Sequence, residues 1–414
     1  MKIKYEDLLA MRNVFLLSIY AFVMTLVGGA LDIIIYYHFY EVTESPLSLG
    51  LLYFFPIVFR IFLFLVAGIV VSIMGSISVL ILIYFIGLAF DIAIYLLIPF
   101  SRETMYLLYI IFTLSALTGP FYAIAIRVLI PDLVSRDMFL RANSIFNIAS
   151  RSPEIFSPFL GGLLGSLYGY KNAVLILIVF NLISLFPLLL LARLVSTQPR
   201  GVGSELRSYL ADLSAGISYL RSSRDLLLLL AISSIFSLFM MQFLSVYLLV
   251  AVRNLLGVGV DIFGLLVTIS NIGGIAGAAS LTIYRRSGLG SALTFILIMA
   301  SGLSILPMAF IYDLYIYVAL LLIQDYTATQ ASILITTIYQ ERVEKKYLPA
   351  FLSLTSFINS LLSALGALSG GYISTQLGIV PSLIITSISI SLSALLLLTW
   401  NILSPHRTST REAN

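Results

Sequence analysis

The chain has 414 residues, of which 60% are hydrophobic, 13% aromatic and only 10% charged, with a mean hydropathy of +1.08 and a formal charge of +4. No water-soluble core absorbs that much apolar surface, so lipid is its solvent and the soluble classes are excluded. It has no cysteine, which excludes a disulfide framework and a thiolate metal site, and its two histidines, His38 and His406, lie far apart.

A bilayer core about 30 Å thick requires roughly 20 apolar residues per helical crossing. Such runs predict twelve spans, at 12–38, 47–74, 77–99, 103–130, 139–168, 172–193, 226–252, 261–284, 289–311, 314–339, 348–375 and 379–402. Backbone amides in hydrocarbon must be satisfied internally, and these runs are far longer than outer-membrane strands, so the expected fold is all-α. Lys2 and Lys4 precede the first run, which is too long for a signal-peptide core and lacks a small-residue cleavage site; it is expected to remain as span 1.

The predicted organisation is a six-helix bundle at 1–193, a cytoplasmic linker at 194–225, a second six-helix bundle at 226–402 and a cytoplasmic tail at 403–414. Within the linker, Leu206, Tyr209, Leu210, Leu213, Ile217 and Leu220 share one helical face, beside Arg207, Arg221 and Arg224. An interfacial helix on anionic headgroups and a plain solvated linker both fit. With the N-terminus inside, 18 basic residues fall on the inner side, against Arg102, Lys171 and Arg253 outside. That asymmetry predicts a multi-pass cell-membrane protein with both termini cytoplasmic. Topology thus explains the positive charge, and no nucleic-acid partner is expected.

Ionisable side chains inside a bilayer are costly, so each needs a reason. Asp32 follows Gly28 and Gly29 in span 1, and Arg60 lies deeper in span 2. Two readings stand: a static pair fixing spans 1 and 2, or a proton or cation site at Asp32 modulated by Arg60. In span 5, Arg151 and Glu154 share a face at i, i+3 and could neutralise each other or exchange partners during transport. Asp325 sits mid-span in span 10 beside Gln324 and ahead of Gln330, with no basic residue in its own span. An unpaired carboxylate there suits proton or substrate binding. Asp91 in span 3 is read as structural.

The sequence also repeats. Ser157–Gly162 (SPFLGG) is echoed by Gly366–Gly371 (GALSGG) at an offset of 209, and Gly50-Leu51-Leu52 by Gly264-Leu265-Leu266 at 214. Two parallel six-helix halves follow. The stretches Thr43–Leu52, Ile130–Asn147 with its echo Gln340–Leu354, and Gly216–Leu230 resemble the major facilitator superfamily, and within it the macrolide-efflux-like drug exporters, over essentially the whole chain. Pro158, Gly161 and Gly162 match the end of that family's antiporter motif on helix 5, although Pro153 and Ser157 replace glycines. Small residues there would let helices 5 and 8, or 2 and 11, approach across the interface between halves. The loop between helices 2 and 3 departs from the family pattern: Gly68 and Gly75 survive, but Ser72, Ile73, Ser76 and Ile77 stand where charges belong. Its counterpart after helix 8 keeps Arg285 and Arg286, which Asp132 or Asp137 could partner.

The resemblance implies a central cavity lined by helices 1, 4, 7 and 10, with Gln242, Gln324 and Gln330 as polar lining and helix 3, bearing Asp91, at the periphery. The expected function is proton-coupled efflux of small amphiphilic or drug-like molecules by rocking of the two halves. Partners are the substrate, protons and the lipid bilayer; the working unit is a monomer and no cofactor is expected. An importer or facilitator of a polar metabolite, or a nontransporting sensor, would use the same fold. An enzyme is not expected, since the sequence offers no paired Asp-rich motif, histidine cluster or phosphate-cradling glycine loop with lysine.

Overall fold

The computed structural model describes residues 5–98, 103–135, 138–195, 220, 224–281, 291–343 and 348–403. The first helices are α1 (Tyr5–Thr43), α2 (Pro46–Met74), α3 (Ser76–Leu97) and α4, whose segments Met105–Ala116 and Thr118–Leu133 meet at Leu117. A stretch running Phe139–Leu194 is broken at Gly169 into α5 (139–168) and α6 (170–194). Then come α7, with segments Arg224–Gln242 and Leu248–Asn254 joined by a π-helical turn Phe243–Tyr247, α8 (Val260–Leu281) and α9 (Ser291–Ile305, ending in a 3-10 turn Leu306–Ala309). The last three are α10 (Leu314–Arg342), α11 (Leu348–Leu377) and α12 (Ile379–Leu403). No strand occurs among the described residues.

Among the described residues, ten helical stretches are long and apolar enough to cross a membrane; one of them, the 50-residue Ile145–Leu194, holds both α5 and α6. With the 30-residue α11 this makes the twelve predicted crossings. Local chemistry sets their ends. Ser45 caps α2 by accepting from the Ser48 N–H (3.2 Å), and Pro46 occupies the first helical position, where its missing N–H costs nothing. Asp313 caps α10 by accepting from the Ile316 N–H (3.1 Å). The turns between α5 and α6 and between α11 and α12 need a left-handed residue, supplied by Gly169 (φ 74°) and Gly378 (φ 80°). These glycines are 209 positions apart, the offset of the sequence repeat.

The two bundles are α1–α6 and α7–α12. In the first, α1 lies along α5, α2 and α3 pack on α4, and α3 also packs on α6; in the second, α7 packs on α11, α8 on α10 and α9 on α12. Large apolar side chains such as Ile148, Phe186 and Leu396 stay exposed, as expected where lipid replaces water. The predicted linker helix, the C-terminal tail beyond 403, and the loop residues Arg136, Asp137, Arg285 and Arg286 lie outside the described residues. One boundary differs with consequence: α1 continues beyond 38 to Thr43, which places Glu41 on the helix.

Candidate functional site at the interface of the two bundles

The bundles touch at two glycine crossings related by the repeat. Of the paired glycines on α5, Gly161 lies against the Ala30 backbone of α1, in its own bundle. Gly162 lies against α8, where an added Cβ would stand 2.5 Å from the Val260 carbonyl oxygen and 3.1 Å from the Asp261 Cα. The α11 pair repeats the arrangement. Gly370 packs on Gln242 of α7, and Gly371 packs on α2, where a Cβ would stand 2.6 Å from the Pro46 carbonyl oxygen. Gly264 and Gly50 are the facing small residues, so the two offsets in the sequence, 209 and 214, mark the two sides of one contact made twice. Backbone meets backbone at both places, which only glycine permits.

Pro158 adds a polar element to the α5–α8 crossing. A proline has no N–H, so the carbonyl of Glu154, four residues earlier, loses its helical donor. Asn271 of α8 supplies a replacement, its Nδ2 donating to that carbonyl at 2.9 Å. Directly after the proline, the Phe159 N–H donates to Thr268 Oγ1 of α8 (3.1 Å). At the other crossing the Leu47 N–H donates to Thr375 Oγ1 (3.0 Å).

A third contact joins the ends of α1 and α7. Arg253 forms an ion pair with Glu41 (3.2 Å) and lies over the Tyr37 ring, its guanidinium 5.5 Å from the ring centroid. Tyr170 donates its hydroxyl to Glu41 Oε2 (2.8 Å), Tyr37 donates to the Val258 carbonyl (2.7 Å), and Asn254 donates to the Tyr40 hydroxyl (2.9 Å). His38 stands 3.6 Å from Glu41 and stacks on Tyr170 with ring centroids 4.3 Å apart. Sequence reasoning missed this latch because Arg253 reads as one more loop cation and Glu41 falls outside the predicted span. The signal for it was the cluster of Tyr36, Tyr37, His38, Tyr40 and Glu41 at one helix end. These three contacts all lie toward the end of the molecule opposite the chain termini.

The charged candidates divide differently. Asp32 is half-buried on α1, with Arg60 of α2 within electrostatic reach, but no ion pair within 4.0 Å forms between them. Arg60 instead extends over Gly119 of α4, its Cδ 3.6 Å from where a Cβ would be. Tyr36 of α1 and Tyr53 of α2 stack beside Asp32 with centroids 4.2 Å apart. Arg151 and Glu154 are both exposed and likewise form no ion pair within 4.0 Å in this conformation. Asp325 is half-buried and accepts a hydrogen bond from Ser270 of α8, so it faces the α8–α10 seam. Asp91 accepts from Asn181 Nδ2 of α6 (2.9 Å), a tie between α3 and α6.

The three glutamines, expected to line a cavity, are packed inside the second bundle. Gln242 is 1% exposed; its Nε2 donates to Ser369 of α11 (2.9 Å) and its Oε1 accepts from Thr386 of α12 (2.8 Å). Gln324 is fully buried with its Nε2 3.6 Å from Met240 Sδ, and Gln330 donates to Ser280 of α8 (2.7 Å). Gln242, with both amide groups bonded inside the bundle, is a structural tie. Among the described residues no three His, Cys, Asp or Glu side chains gather to hold a metal.

The model of the Major Facilitator Superfamily matches residues 14–367, most of the chain, including the α5–α8 crossing and the Glu41–Arg253 contact. The chain belongs to the major facilitator superfamily. It is therefore a membrane transporter and not an enzyme. No curated protein sequence matches the chain. Among solved structures, a bacterial homologue of the iron transporter ferroportin in its inward-facing state is 15% identical, with a TM-score of 0.71 over 94% of this chain and 98% of that one. A peptide transporter, POT, in complex with alafosfalin is 12% identical, with a TM-score of 0.71 over 97% and 99%. A bacterial homologue of the human lysosomal transporter Spinster, inward-facing and unoccupied, is 12% identical, with a TM-score of 0.66 over 96% and 97%. Identities this low carry the fold alone.

Proposed function

We propose that this major facilitator is a secondary active exporter of small amphiphilic or drug-like molecules, driven by proton exchange. The bundles at 1–193 and 226–402 rock about the linker at 194–225. One observation carries the reading: each bundle holds a carboxylate within a spanning helix, Asp32 and Asp325, and neither closes an ion pair within 4.0 Å among the described residues. Neutralising such a group lowers the cost of its exposure to lipid or a dry cavity, so proton uptake favours one conformation over the other. Arg60, Arg151 and Glu154 serve as partners that these groups gain and lose as the interface changes.

The excess of basic residues on the side bearing both termini supports a cytoplasmic placement of that side in the cell membrane. The latch and the glycine crossings then seal the outer face, and this conformation is inward-facing. The likeness of the Thr43–Leu52 and Ile130–Asn147 stretches to macrolide-efflux-like exporters supports the outward direction, and one chain is the working unit.

A second reading is a facilitator of a polar solute without proton exchange, favoured by the hydrogen bond that Ser270 donates to Asp325, which also fits a static tie between α8 and α10. The test is proton movement in liposomes holding the purified protein, under an imposed pH gradient, with a panel of amphiphilic compounds. Compound-dependent proton release that disappears in the double variant Asp32→Asn, Asp325→Asn supports the exporter. Solute flux with no proton movement supports the facilitator and sinks the exporter.

A further inference from the structure

The second bundle contains a cavity of about 300 Å³ between α7, α10 and α11, away from the sealed end. Its polar wall is made of Ser233 and Ser237 from α7, Ser332 and Thr336 from α10, and Ser356 and Asn359 from α11. Tyr339 and Thr355 add a phenol and a further hydroxyl, Phe236, Ile335 and Leu352 close the rest, and no lining residue is a carboxylate, lysine, arginine or histidine. Part of the polar wall is already paired: Ser234 and Ser233 donate to Asn359 Oδ1 (3.0 and 3.4 Å), and Ser237 donates to the Ser233 carbonyl (2.7 Å). Those bonds fix the Asn359 amide so that its Nδ2, which has no partner among the described residues, remains free to donate. The hydroxyls of Ser332 and Ser356 have none either, and Ser332, Thr336 and Ser356 are exposed. Spanning helices do not spend so many hydroxyls on acyl chains, so this surface faces water or a ligand.

We propose that this cavity is a substrate subsite for a neutral, hydroxyl-rich group, such as the sugar of a glycosylated amphiphile. Serine, threonine and asparagine both donate and accept, which matches hydroxyls that do the same. A cation or anion would find no countercharge here and would lose its hydration uncompensated. The volume lies at the lower end of small-molecule sites, about 300–1,000 Å³, so it holds one moiety while the remainder of the molecule extends toward the interface. This inference rests on the transporter reading and names part of its substrate.

The test is equilibrium binding of radiolabelled phenyl β-D-glucoside to the full chain in nanodiscs, with no proton gradient, against phenyl phosphate and phenyltrimethylammonium. The neutral glucoside is expected to bind at least tenfold more tightly than either ion. Asn359→Ala, and separately the exposed pair Ser332→Ala, Ser356→Ala, are expected to weaken it about tenfold, with thermal stability of the exposed pair unchanged. Glucoside binding that is absent, no tighter than that of the ions, or insensitive to both variants overturns the proposal. If the glucoside binds and responds to both cavity variants while no compound moves protons, only the exporter reading falls. If protons move with other compounds and the glucoside does not bind, only the subsite falls.

Discussion

Gly162→Ala tests whether the sealed end depends on backbone contact between the bundles. The new Cβ would sit 2.5 Å from the Val260 carbonyl oxygen and 3.1 Å from the Asp261 Cα, where ordinary contacts begin near 3.4 Å. Both obstacles are backbone, so no rotamer change relieves them and α8 must retreat by about 1 Å at this crossing. Overpacking of this kind costs about 1–3 kcal/mol. The cost falls only on the conformation in which the two helices touch, so the ratio of sealed to unsealed molecules should drop by about 5- to 150-fold. Because the chain has no cysteine, spin labels can be placed cleanly. Asn172→Cys with Tyr315→Cys spans the sealed end, and Arg193→Cys with Gln340→Cys spans the opposite end. Gly162→Ala should lengthen the first distance and shorten the second, and Gly371→Ala should do the same at the pseudo-equivalent crossing. Gly28→Ala, with nothing within 4 Å, serves as the control. Unchanged distance distributions in Gly162→Ala, at native stability, would refute the steric argument.

The latch between α1 and α7 should contribute less, because both side chains are partly exposed, 28% and 35%. Glu41→Gln and Arg253→Gln should each shift the same two label distances in the direction of Gly162→Ala, by about 0.2–1 kcal/mol, with the double variant no worse than either single one; full additivity would show that the pair does not act together. Asn271→Ala should lower the thermal midpoint, since it removes the donor to the Glu154 carbonyl at an exposed site, at a cost of about 0.5–1.5 kcal/mol. In a Pro158→Ala background the helix regains its own donor at position 158, so the Asn271→Ala effect should shrink; equal losses in both backgrounds would disprove the assignment. Gln242→Leu should destabilise the second bundle by about 1–3 kcal/mol, through the buried Thr386 hydroxyl that loses its acceptor, while binding of the phenyl glucoside is preserved; a loss of binding without a loss of stability would return Gln242 to the cavity wall.

By itself the sequence determined the twelve helices, because twenty apolar residues in hydrocarbon have one way to satisfy their amides. It also determined the pairing of the halves: the offsets of 209 and 214 are the two sides of the Gly162–Gly264 and Gly371–Gly50 crossings, and Gly169 and Gly378 repeat the first offset at equivalent turns. The resemblance to the family's helix-5 motif singled out Pro158, Gly161 and Gly162, and small residues in a spanning helix are compatible with the close approach found there. What it could not give was the direction each polar side chain faces. Gln242, Gln324 and Gln330 belong to helices expected at the cavity, yet a rotation of about 100° per residue separates a cavity wall from a bundle interior, and on α10 Gln324, Asp325, Thr327, Thr329 and Gln330 are spread around the helix and mark no single stripe. The partners of Glu41 and of the Glu154 carbonyl lie 212 and 117 residues away in the chain. Only the packed bundles bring those groups together, and for that reason the latch and the proline-freed carbonyl belong to the tertiary structure.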